Sequence, residues 1–503
     1  MEEPRFSSFF FRQRLNAVGI PFLAGTLFFL IAPRSQGVVW ILLFAILFLG
    51  MTFLHKEAEG RITLLCVTAG LALCLVLSGI TLFQSFRVRE ISGKEIGVKG
   101  TVTAVSKESF DLSFCSLEGK GFFWSIRCQG GETPAVGDRL SGRFVVSGEA
   151  SSSELGEGID LVGTFFQTPE KIGKSFLFSS ADSIRGTLIK RFGTSREAGF
   201  LRAALLGDRL ALSTRDQNAF SSTGSSHLLA ISGLHLTQMV GFFICAFRFL
   251  PISRRNRQRL LFPLILFLYL LTGASVSVFR AGFMLCFSLS ASLFRRRLDS
   301  VTSLTLAACL LTLSCPYVLL NPSFLFSFFS TFAILAAGVP LCDALHRTIC
   351  SYFRKDRGFL LSLFSYITSA LILSSCISVF TFPLQLLFFG EIQLLSPLYS
   401  VFLIALFSPC LFLGLLYALV LLLPFTVPFV ETVWFFCTRA FLSLVSLLAN
   451  SAPNFVSLSG VALPLAMLWF SLLLGTMILR MPIRILLYFH LSLLAILGLF
   501  ALL

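Results

Sequence analysis

Apolar segments of about twenty residues recur along this chain and constrain its fold more than any other feature. Two clear examples run from Ile62 to Phe83 and from Val461 to Leu479. A hydrocarbon core of about 30 Å needs roughly 20 apolar residues for one helical crossing. Only 13% of the 503 residues are charged, which is too few to cover a water-soluble globule of this size. The sequence therefore predicts an α-helical polytopic membrane protein.

The apolar segments predict about 11–13 membrane segments, some of them re-entrant. The candidate bounds are 18–32, 38–54, 62–84, 227–249, 260–272, 279–294, 298–315, 324–343, 359–380, 397–423, 432–449, 462–479 and 485–503. The predicted domains are N-terminal transmembrane anchor helices (1–84), an external β-barrel (85–175), amphipathic interfacial helices (176–226) and a polytopic region (227–503).

Basic residues are concentrated in alternate connectors. The connectors that this threading places inside carry 18 Lys and Arg residues, whereas the short outer connectors carry two, Arg34 and Arg280. By the positive-inside rule, the N-terminus is cytoplasmic, and residues 85–226 and the C-terminus lie outside. Residues 85–226 hold 18 basic and 16 acidic residues, so the net charge of +15 is mainly a signal of topology.

The apolar run from Leu260 to Phe294 has arginine clusters at both ends. Both ends are therefore predicted to be cytoplasmic, and the chain must turn back within the run. Gly273 and the serines that follow it provide the turn. Each arm is short for a full crossing, and a re-entrant hairpin is the alternative. Arg280 then lies near the tip, where burial requires a partner or a wet cavity.

Residues 97–166 predict five short strands with the sequences GVKGTVTAV, SFDLSFCS, GFFWSIRC, DRLSGRFVVSG and IDLVGTFF. Their β-branched and aromatic residues favour a small barrel or sandwich. Small five-stranded barrels often bind single nucleic-acid strands by stacking bases on aromatic rings beside basic side chains. Phe122, Phe123, Trp124 and Arg127 are the candidates for this role. Packing of the aromatic rings in the core is the competing interpretation.

The apolar period changes between Ser183 and Leu206 to that of an amphipathic helix lying on the membrane surface. Thr194 and Glu197 form a capping-box pattern that predicts a second helix ending near Gly207. Residues 185–215 contain seven basic and two acidic residues. Lipid headgroups explain this charge as well as nucleic acid does. The basic candidates are Arg185, Lys190, Arg191 and Arg196.

LLGDR begins at Leu205 and GSSHLLAISGLHL at Gly224, and RAGFM, NPSFLFSF and FFGEIQLLSPL follow from Arg280, Asn321 and Phe388. These motifs, in this order, resemble those of the ComEC family of competence proteins. The resemblance covers essentially the whole chain. It implies that the external barrel is an oligonucleotide-binding (OB) fold. It also implies a channel in the bacterial inner membrane that passes DNA, as a single strand, into the cytoplasm during transformation.

The partners implied by the resemblance are single-stranded DNA, membrane lipids, an external DNA receptor, a separate nuclease and a cytoplasmic ATP-driven motor. Homo-oligomerisation stays open. The chain departs from the family pattern at Ser323, Leu325 and Ser400, where glycine, glutamine and asparagine are usual. Many members carry a C-terminal metallo-β-lactamase-like domain, whereas this sequence ends in an apolar segment at Leu503.

No catalytic residue, metal or cofactor is predicted, so we expect a protein that is not an enzyme. The 13 cysteines form no CxxC pair. A phosphate-binding loop ending in Gly173, Lys174 and Ser175 would need a glycine at position 168, which is Thr168. Energy is therefore expected from a partner or a gradient. An HxHxDH metal cluster cannot be assembled from the histidines, which are His55, His227, His235, His346 and His490.

A DNA strand needs a polar path, because a phosphate cannot cross hydrocarbon without water or protein dipoles around it. For the serines and glycines of the motif GSSHLLAISGLHL, helix packing is the competing interpretation. Asp208 with Arg209 has the competing interpretation of a surface ion pair. The alternative functions are transport of another polyanionic or lipid-linked substrate, and a non-transporting, membrane-anchored binding module. The candidates for the path are His227, Ser232, His235, Arg280, Asp208, Arg209 and Glu391.

Overall fold

The computed structural model describes most of the chain between residues 14 and 457. The described residues are 14–31, 41–43, 45–46, 49, 58–105, 109–117, 120–129, 134–151, 154–155, 157, 159–208, 211–229, 231–273, 275–294, 299–352, 359–393, 395–423, 427–450 and 456–457. The chain forms two compact units. The barrel unit comprises Phe11–Thr187 and Thr305–Phe324, and the helical unit comprises Met1–Phe10, Leu188–Leu304 and Leu325–Leu503.

The barrel unit begins with two apolar helices, α1 (Arg14–Ile31) and α2 (Ala58–Ile91), which pack against each other. Gly70 of α2 lies directly against the backbone of Val18 in α1, and such close approach is a common use of small residues between membrane helices. The end of α2 continues into the barrel, because Val88 and Ile91 belong to the apolar core of the strands.

Five strands close into a barrel. They are β1 (Glu95–Val105), β2 (Ser109–Leu117), β3 (Lys120–Gln129), β4 (Asp138–Glu149) and β5 (Leu161–Phe165). The order is β1-β2-β3-β5-β4, and β4 pairs again with β1. All pairs are antiparallel except β3 with β5, which is parallel. The predicted OB-like barrel is therefore confirmed.

The barrel closes around the apolar residues of its alternating strands. Val98 and Val102 of β1 face Leu112, Ile126 and other buried side chains in one core. A sixth strand, β6 (Glu170–Lys174), pairs with β4. The sequence prediction missed it because EKIGK is short, and every side chain in it is at least partly exposed. Its position comes from backbone pairing with β4, not from burial.

A half-buried carboxylate makes the stability of the barrel unit depend on pH. Oδ2 of Asp160 accepts a hydrogen bond of 2.8 Å from the backbone N–H of Ser125. Burial raises the pKa of Asp160 from 3.8 to about 6. The folded state therefore binds more protons than the unfolded state between these two values, and stability falls as the pH rises through this range.

We expect Asp160→Asn to remove this loss of stability. The asparagine carbonyl still accepts the Ser125 hydrogen bond, and no charge is buried. At about pH 7.5 the full-length protein in detergent should gain about 1 to 2 kcal/mol, after allowance for solvent screening. Thermal unfolding measures this gain as a higher midpoint than that of wild type. The two midpoints should converge only as the pH falls below the unfolded pKa of 3.8, and a variant that is less stable than wild type at both pH values contradicts the prediction.

The remaining elements follow β6 along the chain. The helices are α3 (Phe176–Phe192), α4 (Arg196–Leu206), α5 (Thr214–Ser222), α6 (Gly233–Ala246), α7 (Arg254–Leu271), α8 (Val276–Leu293), α9 (Ser300–Ser314), α10 (Pro322–Ala333), α11 (Val339–Tyr352), α12 (Phe359–Phe389), α13 (Ser396–Leu422) and α14 (Pro428–Asn450). Short 3-10 helices occupy Ser226–Leu228, Phe247–Phe249 and Pro316–Leu320, and a π-helix, Ile334–Gly338, joins α10 to α11. The strands β7 (Glu391–Ile392) and β8 (Val456–Ser457) pair with each other.

Among the described residues, six helices are long and apolar enough to cross a membrane. Shorter apolar helices cover Val18–Leu27, Gly233–Phe249 and Ser300–Ser314. The prediction of a polytopic helical membrane protein is therefore confirmed. The predicted segments 462–479 and 485–503 lie outside the described residues, and 38–54 lies largely outside them. The six helices cover Leu65–Leu82, Val276–Leu293, Pro322–Arg347, Leu361–Phe389, Ser396–Leu422 and Pro428–Asn450.

The helical unit departs from the predicted segment 227–249. The helix α6 begins only at Gly233, after a 3-10 turn at Ser226–Leu228. Ser232 has extended backbone angles and caps the helix, as serine commonly does. The predicted turn between 260–272 and 279–294 is present, because Gly273 has a left-handed φ of 85° between α7 and α8.

The second of the two predicted interfacial helices is buried. α4 begins after Ser195, whose side chain accepts the N–H of Ala198, and ends at Gly207 with a left-handed φ of 74°. The helix start was therefore predicted one residue early, at Thr194, and its end correctly. Nine of the eleven α4 residues are buried, and the helix packs on α13 and α14. An interfacial helix would instead expose its polar side along its whole length.

Candidate anion site in the helical unit

The start of α6 is organised by a buried histidine. The ring of His235 is fully buried, and its Nδ1 accepts the backbone N–H of Ser232 at 3.2 Å. Nε2 lies 3.2 Å from the carbonyl oxygen of Leu228. These contacts require the neutral ring with its hydrogen on Nε2, which donates to Leu228. His235 therefore closes the turn before α6 and does not line a polar surface.

A buried arginine lies against this helix start. Arg280 is in the second turn of α8 and is 7% exposed. Its Nη1 donates to the carbonyl oxygen of Ser327 at 2.6 Å and to the hydroxyl of Thr331. A Cβ placed on Gly233 would lie 2.8 Å from Nη2 of Arg280. Glycine at position 233 is therefore what lets the guanidinium approach the first turn of α6.

The charge of Arg280 is not balanced within the described part of the chain. No described carboxylate forms an ion pair with it, and its Nε is buried without a hydrogen-bond partner among those residues. The neighbouring helix start adds positive partial charge and free backbone N–H groups. Two positive features side by side, with no ion-paired carboxylate among the described residues, are stabilised when an anion binds.

The site lies near the middle of the helix bundle. The rings of His235 and Phe407 are 4.9 Å apart, and Gln238 Nε2 donates to Ser408 Oγ at 2.6 Å. Phe407 and Ser408 are close to the midpoint of α13, which runs from Ser396 to Leu422. With 14 residues, α6 is about 21 Å long, shorter than a hydrocarbon core of about 30 Å. It is thus a short helix that begins near the middle of a membrane-spanning helix.

A second polar contact joins two motifs that are far apart in sequence. Gly224 has a left-handed φ of 68°, and a Cβ on it would lie 2.5 Å from Gln393 Oε1 and 2.7 Å from Ser396 Oγ. Gln393 Nε2 donates to the carbonyl oxygen of Ser221. The sequence analysis did not single out Gln393 or Ser396, although both lie in FFGEIQLLSPL. His227 is exposed nearby, with Nδ1 3.2 Å from the Gly224 oxygen.

Of the three other path candidates, only Asp208 has a side chain that the structure describes. Asp208 pairs with Arg202 of α4, six residues earlier, at 2.6 Å. Arg209 lies outside the described residues. The backbone of Glu391 is in β7, and its side chain lies outside what the structure describes.

Two of the basic candidates contact the helical unit itself. Arg191 donates to the carbonyl oxygens of Leu421 and, at 3.4 Å, Leu423, where a cation complements the C-terminal end of α13. Arg196 pairs with Asp216 at 2.5 Å and donates to Ser446 at 3.1 Å. Of the other two candidates, Lys190 is exposed and Arg185 is half-buried. The basic charge on this segment therefore serves partly to hold helices together.

The position of Arg191 also bears on the sides of the membrane. The ring pairs His235–Phe407 and Phe242–Phe412 have centroid distances of 4.9 and 4.7 Å, so α6 and α13 run in the same direction. The arginine-rich connector after α6 therefore lies at the end of the unit that Arg191 caps. The prediction had assigned these two basic segments to opposite sides, and within the helical unit they share one side.

The barrel candidates fall into two groups. Phe122, Phe123 and Trp124 lie in β3, but their side chains are outside the described residues. Arg127 hydrogen-bonds Asp111 at 2.8 Å and Glu157 at 3.0 Å, and Glu154 lies 3.6 Å away. The Asp111 hydrogen bond, with a smaller contribution from Glu157, raises the Arg127 pKa despite the opposing effect of burial. Three carboxylates around one guanidinium leave this spot with net negative charge, which repels phosphate.

No group of three or more His, Cys, Asp or Glu side chains in the described residues could hold a metal ion. The polar centre of the unit is instead a cation and a helix start. A model of the competence protein family matches residues 204–483, more than half of the chain. The chain belongs to the competence protein family. This confirms the resemblance inferred from the motifs, and Gly233 and Arg280 both lie within the family region.

Two curated relatives are similar in sequence to part of the chain. ComE operon protein 3 of Bacillus subtilis is 36% identical over 138 residues, which are 27% of this chain and 18% of that protein. Recombination protein 2 of Haemophilus influenzae is 28% identical over 179 residues, which are 33% of this chain and 22% of that protein. The chain thus matches less than a quarter of the length of either relative. No solved structure matches it.

Proposed function

We propose that this competence-family protein is a channel that passes DNA, as a single strand, across the bacterial inner membrane during natural transformation. The observation that carries the proposal is the buried Arg280, without a carboxylate partner among the described residues, beside the start of the short helix α6. A guanidinium binds two phosphate oxygens in a fixed geometry. Helix starts near the bilayer midplane are used by membrane transporters to bind anionic groups.

The depth of the site favours a transported anion over a surface-bound one. An unpaired guanidinium in the middle of a membrane protein is costly unless water or an anion reaches it. A passing strand brings one phosphate per nucleotide, so each phosphate can replace the previous one at Arg280. Ser232, the N-cap residue of α6, lies at the same helix start and would contact the same phosphate or its water.

The barrel has a supporting role in this proposal. Closed five-stranded OB barrels bind single strands through aromatic rings, and we assign base stacking to Phe122 and Trp124. Arg127 is left out, because its carboxylate neighbours offset its charge. We propose that the N-terminus and the arginine-rich connectors are cytoplasmic by the positive-inside rule, that Arg191 lies on the same side as these connectors, and that the barrel is external. A DNA receptor, a nuclease and an ATP-driven motor are the proposed partners.

The proposal is tested by uptake of labelled DNA in a transformable strain that lacks this protein. We expect nuclease-protected label inside the cells to fall to background and to return when the wild-type gene is supplied. The uptake is then measured twice, with the label on one strand of the duplex and then on the other. If only one strand passes, the label protected in the two measurements together should be half of what uptake of both strands would give. Unchanged uptake in the deletion strain contradicts the proposal. It would favour another polyanionic or lipid-linked substrate, or a non-transporting binding module.

A further inference from the structure

A second arginine, for which the sequence predicted no role, lies in the middle of a membrane helix. Arg439 is within α14 (Pro428–Asn450), which is long and apolar enough to cross a membrane. Its side chain is exposed. Its guanidinium carbon lies 6.0 Å from the ring centroid of Phe435, and no carboxylate of the described residues forms an ion pair with it. Arg439 could have been singled out from the sequence, because it is a lone charge inside the predicted membrane segment 432–449.

The contacts between α13 and α14 give the depth of Arg439. Phe407 lies 6.0 Å from Phe441 between ring centroids, the sulfurs of Cys410 and Cys437 are 3.1 Å apart, and the Tyr417 and Trp434 rings stack at 5.0 Å. The two helices are therefore antiparallel. Arg439 is level with the residues of α13 between Phe407 and Cys410, which is also where α6 begins.

An arginine at this depth cannot face lipid tails without a large cost. Either end of α14 is about 17 Å away along the helix, which is farther than the side chain can reach to a headgroup. A charged side chain near the bilayer centre therefore pairs, faces protein or lines a water-filled cavity. The weak contact with Phe435 does not replace the lost hydration, because cation–π pairs contribute about 0.5 to 2 kcal/mol.

The exposed side of α14 is polar along one edge. At 100° per residue, Thr432, Arg439, Ser443 and Asn450 fall within an arc of about 40°, and all four are exposed. Phe436 and Leu447 flank this arc on one side and are 63% and 66% exposed. A helix with such a stripe faces water or a polar ligand along that edge and apolar material beside it.

We propose that this polar edge of α14 lines a hydrated part of the DNA path and that Arg439 is a second phosphate contact. The inference rests on the proposed function. The occupant is a nucleic-acid strand, because the edge carries one cation and neutral hydrogen-bonding groups but no acidic side chain. Arg439 lies at nearly the same depth as the Arg280 site. It would therefore contact a phosphate of the same strand, or the water around that phosphate, during passage.

Photo-crosslinking during DNA uptake tests the occupant. A benzophenone amino acid at Ser443 keeps Arg439 intact and places the probe one turn away on the same edge. We expect it to form an adduct with labelled DNA. The same probe at Phe402, which is 54% exposed on α13 outside this stripe, is the matched control and should form none. A Ser443 probe that links to a second copy of the chain, to another segment of it or only to lipid overturns the proposal.

A charge substitution tests the phosphate contact separately. We expect Arg439→Gln to lower DNA uptake about ten-fold at equal protein level, since that is the effect of losing about 1.4 kcal/mol. Arg439→Lys should retain most of the wild-type uptake. Wild-type uptake by Arg439→Gln overturns the role of Arg439 even if the Ser443 probe reaches DNA. Failure of the proposed function is recognised independently, because the deletion strain would then take up as much DNA as wild-type cells.

Discussion

Cells that carry Arg280→Gln should take up about 100-fold less DNA than wild-type cells. A charge-assisted hydrogen bond contributes about 1.5 to 3 kcal/mol, and a loss of about 2.7 kcal/mol lowers a rate or binding constant about 100-fold. Glutamine removes the charge and the fork that binds two phosphate oxygens but leaves an amide for the Ser327 carbonyl and the Thr331 hydroxyl. The measurement is nuclease-protected label per cell, normalised to the amount of the variant in the membrane.

Two controls separate loss of the site from loss of the fold. Arg280→Lys keeps the charge but not the planar fork, and we expect an intermediate uptake. Arg248→Gln removes an exposed arginine from the 3-10 turn after α6, and uptake should stay near wild type. If Arg280→Gln is present in the membrane at the wild-type level and takes up DNA normally, Arg280 is not a phosphate contact and the proposed path is wrong.

Gly233→Val should produce a loss as large as that of Arg280→Gln, although it changes no charge. A Cβ on Gly233 meets Nη2 of Arg280 at 2.8 Å and the Cβ of Ala281 at 3.1 Å. A branched side chain therefore pushes the guanidinium away from the start of α6, where the free backbone N–H groups are. We expect about 100-fold lower uptake, because the arginine and the helix start no longer act on one phosphate.

The matched control is on the same helix. A Cβ added at Gly241 meets nothing within 4 Å, so Gly241→Val should leave uptake close to wild type. A double variant with Gly233→Val and Arg280→Gln should be no worse than either single variant, because both remove one interaction. Losses that multiply in the double variant, or normal uptake by Gly233→Val, would contradict a shared site.

Much of the architecture could be predicted from local sequence features. Apolar length predicted the membrane helices, and strand alternation predicted β1 to β5, because both patterns reflect which faces must leave water. The turn at Gly273 followed from a glycine in a polar break. β6 and the late start of α6 could not be found in this way. The first depends on pairing with β4, and the second on a cap at Ser232 that interrupts an apolar run.

The candidate site was predicted only in part. The motif with His227 and His235 pointed to the right segment, but their assumed shared helix is broken between Leu228 and Ser232, so one ring is exposed and the other buried. Arg280 was singled out because a cation among apolar residues is costly. The pairing of Arg280 with Gly233 was unforeseeable, because a glycine in a single sequence gives no sign of which distant side chain needs the space.

The sequence by itself determined that this chain enters a membrane, carries a small β-barrel and belongs with competence proteins, because hydropathy, alternation and motifs are local properties. Only the tertiary structure decided which polar groups meet. It brought Arg280 of α8 to the start of α6, surrounded Arg127 with carboxylates and placed Arg191 at the end of α13. The physical reason is that burial and charge compensation depend on packing between segments many residues apart, which no local pattern records.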